Sequence, residues 1–274
     1  MMTLTLLGLA ACTVDDSPQD YTSWFDAGTG ADVSEPVSFT DEPYAFPAKG
    51  EPGLGDLIDA VFPVSDSSIL YADGDQFGDG TDCESKVEDT LPYTIEGVVT
   101  IHPRYYFKTS GCGFDSDEKY YGSFFIQDST GGVFVLGDSK VAHFDAGAKV
   151  RMTIRGVRTS FDLDMVYAHD IEEIFYDEAQ SVYYEVAEGA LRASDVGEVR
   201  RIEGTVVSDK DTFGEFQIEA EDGRIHSVSL DVELNRRGIS YPIGSRIQVT
   251  GPVLLSYDVY SIIVMEVGQV TDLD

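Results

Sequence analysis

Apolar and polar residues alternate along several stretches of the chain with the period of a half-buried β-strand. In Ser123–Asp128 the apolar Phe124 and Ile126 alternate with Ser123 and Gln127, which points Phe124 to a core and Phe125 to the opposite face. Gly131-Gly132 is expected to supply positive φ in a turn before a strand over Val133–Leu136. In Lys149–Arg155 the side chains of Val150, Met152 and Ile154 fall on one face, and those of Arg151, Thr153 and Arg155 on the other.

The pattern occurs twice. Thr94–Thr100 (TIEGVVT) matches Arg201–Val207 (RIEGTVV), and Ser123–Val135 matches Glu215–Val228 around an Asp-Gly turn. Ala146–Val157 (AGAKVRMTIRGV) matches Ile243–Val253 (IGSRIQVTGPV), and each set ends in a last apolar strand, Met165–Phe175 or Val259–Val270. Five strands per unit, with one glycine in the first strand and another in the fourth, predict an all-β chain of two five-stranded Greek-key barrels in tandem. Glycines at such positions mark bends where a small barrel coils. Between the units, Val186–Val196 carries apolar residues at helical spacing and predicts a short helix plugging the second barrel, with Tyr183 and Tyr184 packing at the joint.

In order, the residues Ile95, Gly97, Val99, then Phe124, Ile126, Gln127, Asp128, Gly131, Gly132, Val133, Val135, then Gly147, Val150, Gly156 resemble a recurring pattern. It is that of the OB-fold modules of secreted bacterial proteins and surface lipoproteins, the type also appended to extracellular nucleases. The resemblance covers Tyr93–Phe175 well. It is looser over Arg200–Val270, where Gln127-Asp128 becomes Glu219-Ala220 and the paired glycine becomes Asp222-Gly223. It implies an OB-like fold and a binding role without catalysis.

Composition shifts divide the rest. The apolar run from Leu4 ends in Leu9-Ala10-Ala11-Cys12, which suits an export signal and resembles a bacterial lipobox that would place an acyl chain on Cys12. Thr13 after the cysteine resembles the outer-membrane pattern. The implied address is the cell envelope, with the membrane as partner through the lipid. Residues 13–56 are rich in Asp, Glu, Ser, Pro and Gly, with Lys49 as the only base, and are expected to be a disordered acidic tether. Residues 57–178 then hold the first barrel, with an acidic glycine-rich insertion, and 179–274 the second. In an oxidising compartment Cys83 and Cys112 are expected to form a disulfide, stabilising by about 3 kcal/mol in the chain-entropy account.

Charge narrows the partners. Eighteen Lys and Arg stand against 50 Asp and Glu, a formal net charge of -32. That field sets the chain against duplex nucleic acid and anionic lipid. The segment Tyr93–Ser160 is nearly balanced, with eight bases and seven acids. It holds the candidate ligand surface: Arg104, Tyr105, Tyr106, Phe107, Phe125, Arg151 and Arg155, aromatics for stacking with cations beside them. Asp73, Asp75, Asp79, Asp82 and Glu84 are hard oxygen donors in a glycine-rich stretch and form a candidate calcium loop, although Phe77 stands where an EF-hand needs oxygen. No cofactor beyond that calcium is implied. The chain has no G-x-S-x-G, H-E-x-x-H, P-loop or C-x-x-C, so the commonest local enzyme signatures are missing. Three functions follow: a lipid-anchored binding protein with a protein or glycan partner, a single-stranded nucleic-acid or oligosaccharide module serving a secreted hydrolase, and a calcium-stabilised adhesion protein.

Overall fold

The structure is a computed structural model that describes residues 37–49, 51–61, 69–71, 86–87, 93–103, 105–110, 117–136, 144–160, 163–173 and 180–274. Strand β1 (Phe39–Thr40) and helix α1 (Leu54–Val61) come first. They are followed by β2 (Ile69–Tyr71), β3 (Lys86–Val87), β4 (Tyr93–Val99), β5 (Tyr105–Ser110), β6 (Asp117–Gln127), β7 (Gly132–Leu136), β8 (Lys149–Ser160) and β9 (Leu163–Glu173). The short strands β10 (Val182–Tyr183) and β11 (Glu185–Val186) lead to β12 (Val199–Val206), β13 (Glu215–Glu219) and β14 (Ile225–Leu230). Helix α2 (Val232–Arg236) precedes β15 (Arg246–Ser256), β16 (Val259–Val264) and β17 (Val270–Asp272).

Two rings of five strands result. In one, β4 pairs β6, β6 pairs β7, β7 pairs β9 in parallel, β9 pairs β8, and β8 returns to β4. In the other, β12, β13, β14, β16 and β15 repeat that order, again with one parallel pair, β14–β16, and with β15 closing onto β12. A closed antiparallel ring with its third and fifth strands parallel is the OB-type Greek-key barrel. The fourth strand of each ring is long, twelve residues in β8 and eleven in β15. Gly251 in β15 permits a close backbone approach: a Cβ there would lie 2.2 Å from the Ile263 carbonyl oxygen.

Val150, Met152 and Ile154 lie in the first core, as their alternation indicates, with Phe124 and Ile126. Phe125 was expected to face out, and it is fully buried. The reason is a second layer. Leu254, Ile263 and Met265 from the second ring belong to the same cluster as Phe125 and Phe134, so β6 is covered on both faces. A strand buried on both sides has no polar face for alternation to mark.

Polar groups lock this contact. Gln127 Oε1 accepts from the Val199 amide at 3.1 Å, joining the end of β6 to the start of β12. Gly131 and Gly132 do not have the expected positive φ. Gly132 instead lets backbones meet, since a Cβ there would come 2.2 Å from the Gly197 carbonyl oxygen.

The acidic spacer was expected to run to residue 56, but Val37, Phe39, Tyr44 and Phe46 pack with Val98, Val182 and Val199 across the joint. β1 pairs with β10 in parallel, and the Tyr183 amide donates to Tyr44 Oη at 2.9 Å. Four aromatic and aliphatic side chains within ten residues outweigh the polar composition around them. Leu54 and Leu57 on α1 are buried in the first core.

Asp128 holds that helix. Its Oδ2 accepts from the Leu54 amide at 2.8 Å, and its Oδ1 accepts from the Thr130 amide and hydroxyl, both at 2.7 Å, and from the Gly131 amide at 3.1 Å. Burial pushes the Asp128 carboxyl above its usual value, and these donors recover only part of that shift. Among the described residues, no helix docks at the equivalent turn of the second ring, where Ala220 stands in place of the aspartate.

Two further expectations change. Val186–Val196 forms β11 and a single 3-10 turn, Ala193–Asp195, with Leu191 buried in the second core, where a short helix was expected. The last apolar run breaks after Val264. Buried Gln269 accepts from the Met265 and Glu266 amides and donates to the Thr250 and Ile263 carbonyls, ending β16 and starting β17.

Asp128→Ala is expected to lose about 1–3 kcal/mol, because buried donors are left unsatisfied. Asp128→Asn keeps one acceptor oxygen and should lose less. Urea unfolding followed by far-ultraviolet circular dichroism measures both.

Candidate functional site

The aromatic and basic surface expected on the first ring does not assemble among the described residues. Phe125 sits in the shared core with its ring centroid 4.8 Å from that of Phe134. Tyr105 is half-buried and packs edge-on to Phe134 at 6.0 Å. Burial raises its hydroxyl pKa, and the Asp231 and Glu215 charges add to the rise. Arg151 reaches solvent but is spent on Glu96, directly opposite it across β4–β8. Lys149 joins the same carboxylate at 3.0 Å, with its Nζ 3.9 Å from the Phe46 ring centroid. Burial pushes Glu96 up, yet the hydrogen bonds and charges of Lys149 and Arg151 outweigh that and hold it below the usual carboxylate range. Arg155 lies in β8 and Tyr106 and Phe107 in β5, but their side chains, and Arg104, fall outside the described residues. So do Cys12, Cys83, Cys112 and the calcium candidates Asp73, Asp75, Asp79, Asp82 and Glu84. Among the described residues, no three His, Cys, Asp or Glu side chains could hold a metal ion together.

A formed concavity lies elsewhere. A cleft of about 890 Å³ opens between the N-terminal strap, residues 37–49, and the loop from β10 to the 3-10 turn, with Asp41, Tyr183, Tyr184, Glu188, Arg192 and Arg200 among its lining residues. Its floor is Arg200, 8% exposed, on the first half of β12. The guanidinium donates to Asp195 Oδ1 through Nε at 3.1 Å and Nη2 at 2.9 Å, and also to Glu185 and Glu198. β11 pairs in parallel with β12 and sets Glu185 opposite Arg200. Asp195 ends the 3-10 turn, and its Oδ2 accepts from the Arg192 amide at 2.8 Å.

One guanidinium cannot neutralise three carboxylates equally. Burial tends to lower the Arg200 pKa, but the charges of Glu198, Asp195 and Glu185 and the Glu185 hydrogen bond more than reverse this. Glu198 is raised, chiefly by burial; the Arg200 charge and hydrogen bond pull it down while the Glu185 and Asp195 charges push it up, and the net shift stays upward. For Glu185, burial is outweighed by the Tyr183 and Arg200 hydrogen bonds, and its carboxyl is held low. The Tyr183 hydroxyl donates to Glu185 at 2.9 Å and is pushed up to about 12, chiefly by burial. Beside it, the Arg201 guanidinium stacks on the Tyr184 ring, 3.5 Å from its centroid.

The sequence reading missed this network because it took 186–196 for a helix. The signal was present: Glu185, Asp195 and Glu198 all stand within fifteen residues of an arginine that opens an apolar strand.

By strand order the chain is an all-β protein of the OB-like class. No protein-family profile matches it, and no curated protein does. Among solved structures, the tetrameric p202 HIN2 aligns at 11% identity over 67% of this chain and 93% of that one, with a TM-score of 0.28. A murine DNA-binding protein bound with double-stranded DNA aligns at 10% identity over 67% and 97%, with a TM-score of 0.31. A replication protein A heterotrimer bound to single-stranded DNA aligns at 14% identity over 69% and 50%, also with a TM-score of 0.31. At these scores the alignments carry no argument about ligand.

Arg200→Met is expected to destabilise by about 3–5 kcal/mol at pH 7, because it strands charge at a buried site. Asp195 and Glu198 carry that loss, since water screens the half-exposed Glu185. In the parent protein the lowered Glu185 stabilises above its usual value of 4.5, and that contribution fades as pH falls through its folded value. The raised Glu198 has the opposite sign, its contribution falling as pH rises through its folded value. The penalty in the variant should therefore shrink on acidification, as urea unfolding at pH 7 and pH 3 would record.

Proposed function

We propose that the protein is a non-catalytic binding module, held in the cell envelope by an acyl chain on Cys12 and presenting the cleft over Arg200 as its ligand site. The observation that carries the binding reading is the cleft itself. It is pre-shaped, and its central cation is committed to Asp195, Glu185 and Glu198, so the ionic groups fix a surface for recognition. Its size suits a ligand of a few side chains or sugar rings. The excess of carboxylates disfavours a phosphate backbone, in keeping with the net charge of -32. The apolar run ending in Leu9-Ala10-Ala11-Cys12 supports the anchor. The Cys83–Cys112 pair belongs to the same proposal, as a disulfide formed on export.

The anchor is tested by feeding a clickable palmitate analogue to a bacterial host that makes the full chain. Labelled protein in the membrane fraction is expected, with Cys12→Ser losing the label and moving to the soluble fraction. A wild-type chain that takes up no label removes the anchor from the proposal.

A further inference from the structure

The ionic balance of the cleft identifies the kind of ligand. Arg200 is already saturated, and Asp41 and Glu188 line the same cleft with no side-chain ion pair or hydrogen bond of their own among the described residues. Arg192 is the other cation in the lining, and its side chain is 78% exposed. An incoming anion would meet more negative charge than positive, while an incoming cation would meet carboxylates that need a partner.

The rings beside them suit the same chemistry. Tyr184 already carries a guanidinium from its own chain, Arg201, against its face. Arg224 donates to the Glu188 carbonyl oxygen at 3.1 Å, so the rim loop accepts a second cation through its backbone. The rim is also apolar. Val186 is 64% exposed and lines the cleft together with Ala187 and Ala190. Apolar stems with cationic tips would find a ledge for the first and carboxylates for the second.

We infer that the cleft binds a lysine- or arginine-bearing segment of a partner protein, with Asp41 and Glu188 receiving its cationic tips and Val186 its methylene stems. This rests on the binding reading above and narrows it to one partner chemistry.

The probe is acetyl-tetralysine-amide, titrated calorimetrically into the full chain, with a neutral chitotetraose and a single-stranded oligonucleotide as parallel arms. Because the whole protein is strongly acidic, a control must separate the cleft from the general field. Asp209→Asn with Glu233→Gln removes the same charge on the β12–β13 connection and on α2. Saturable one-to-one binding of the peptide is expected, weakened about tenfold by Asp41→Asn with Glu188→Gln and less than twofold by the control pair. Equal weakening by both pairs overturns the inference, as does a peptide that never saturates. Binding of chitotetraose or the oligonucleotide alone, lost in the cleft pair, overturns it too while leaving the binding reading intact. If none of the three probes binds the wild-type chain, the inference and the binding reading fall together, whatever the outcome of palmitate labelling.

Discussion

The face of the first ring that carries Phe125 and Phe134 lies against Leu254, Ile263 and Met265 of the second, and most of the arrangement follows from that contact. Burying one phenylalanine fully is worth about 1.5–3 kcal/mol, so the shared layer is a substantial part of the stability of a protein this size. It also removes from water the side of β6 that the sequence offers for stacking ligands. Recognition is displaced to the surfaces that the contact leaves open.

Apolar layers set proximity but not register, and polar groups supply the latter. The Val199 amide on Gln127, the backbone approach of Gly132 to Gly197, and His102 standing between Asp145 and Glu266 all join or flank the two rings at fixed points. The strap crosses the same seam, with Tyr44 bonded to β10 and Phe46 under Lys149. Rotating one ring on the other would break the buried Val199–Gln127 hydrogen bond and drive the Gly132 and Gly197 backbones into each other. A slide of the apolar layer alone would cost far less.

The rings themselves were legible. Period-two alternation, a glycine in the first and fourth strands and the internal repeat fix ten strands in order, because one-sided burial writes itself as alternation. Faces were legible only while one of them stayed wet: Val150, Met152 and Ile154 could be assigned, and Phe125 could not, since a partner from elsewhere in the chain covers it. The strap was hidden because its aromatics are sparse in an acidic background and act through distant neighbours. The cleft was hidden for a related reason. Glu185, Asp195 and Glu198 look like solvated acids until Arg200, buried on β12, gathers them.

That gathering explains why the concavity lies where it does. An arginine at the start of β12 is needed to meet Asp195 at the end of the 3-10 turn, and the turn must stand off the barrel to bring its carboxylate round. β11, pulled onto β12 by two residues of parallel pairing, forms one wall, and the strap that seals the joint brings Asp41 to another. The space between them is the geometric remainder of closing the seam with charged residues rather than apolar ones. A hydrophobic plug at 185–195 would have filled it. Acids around a single guanidinium instead leave a concave, negatively biased surface beside two tyrosines, and its chemistry favours a ligand that is positive at its tip and apolar along its stem.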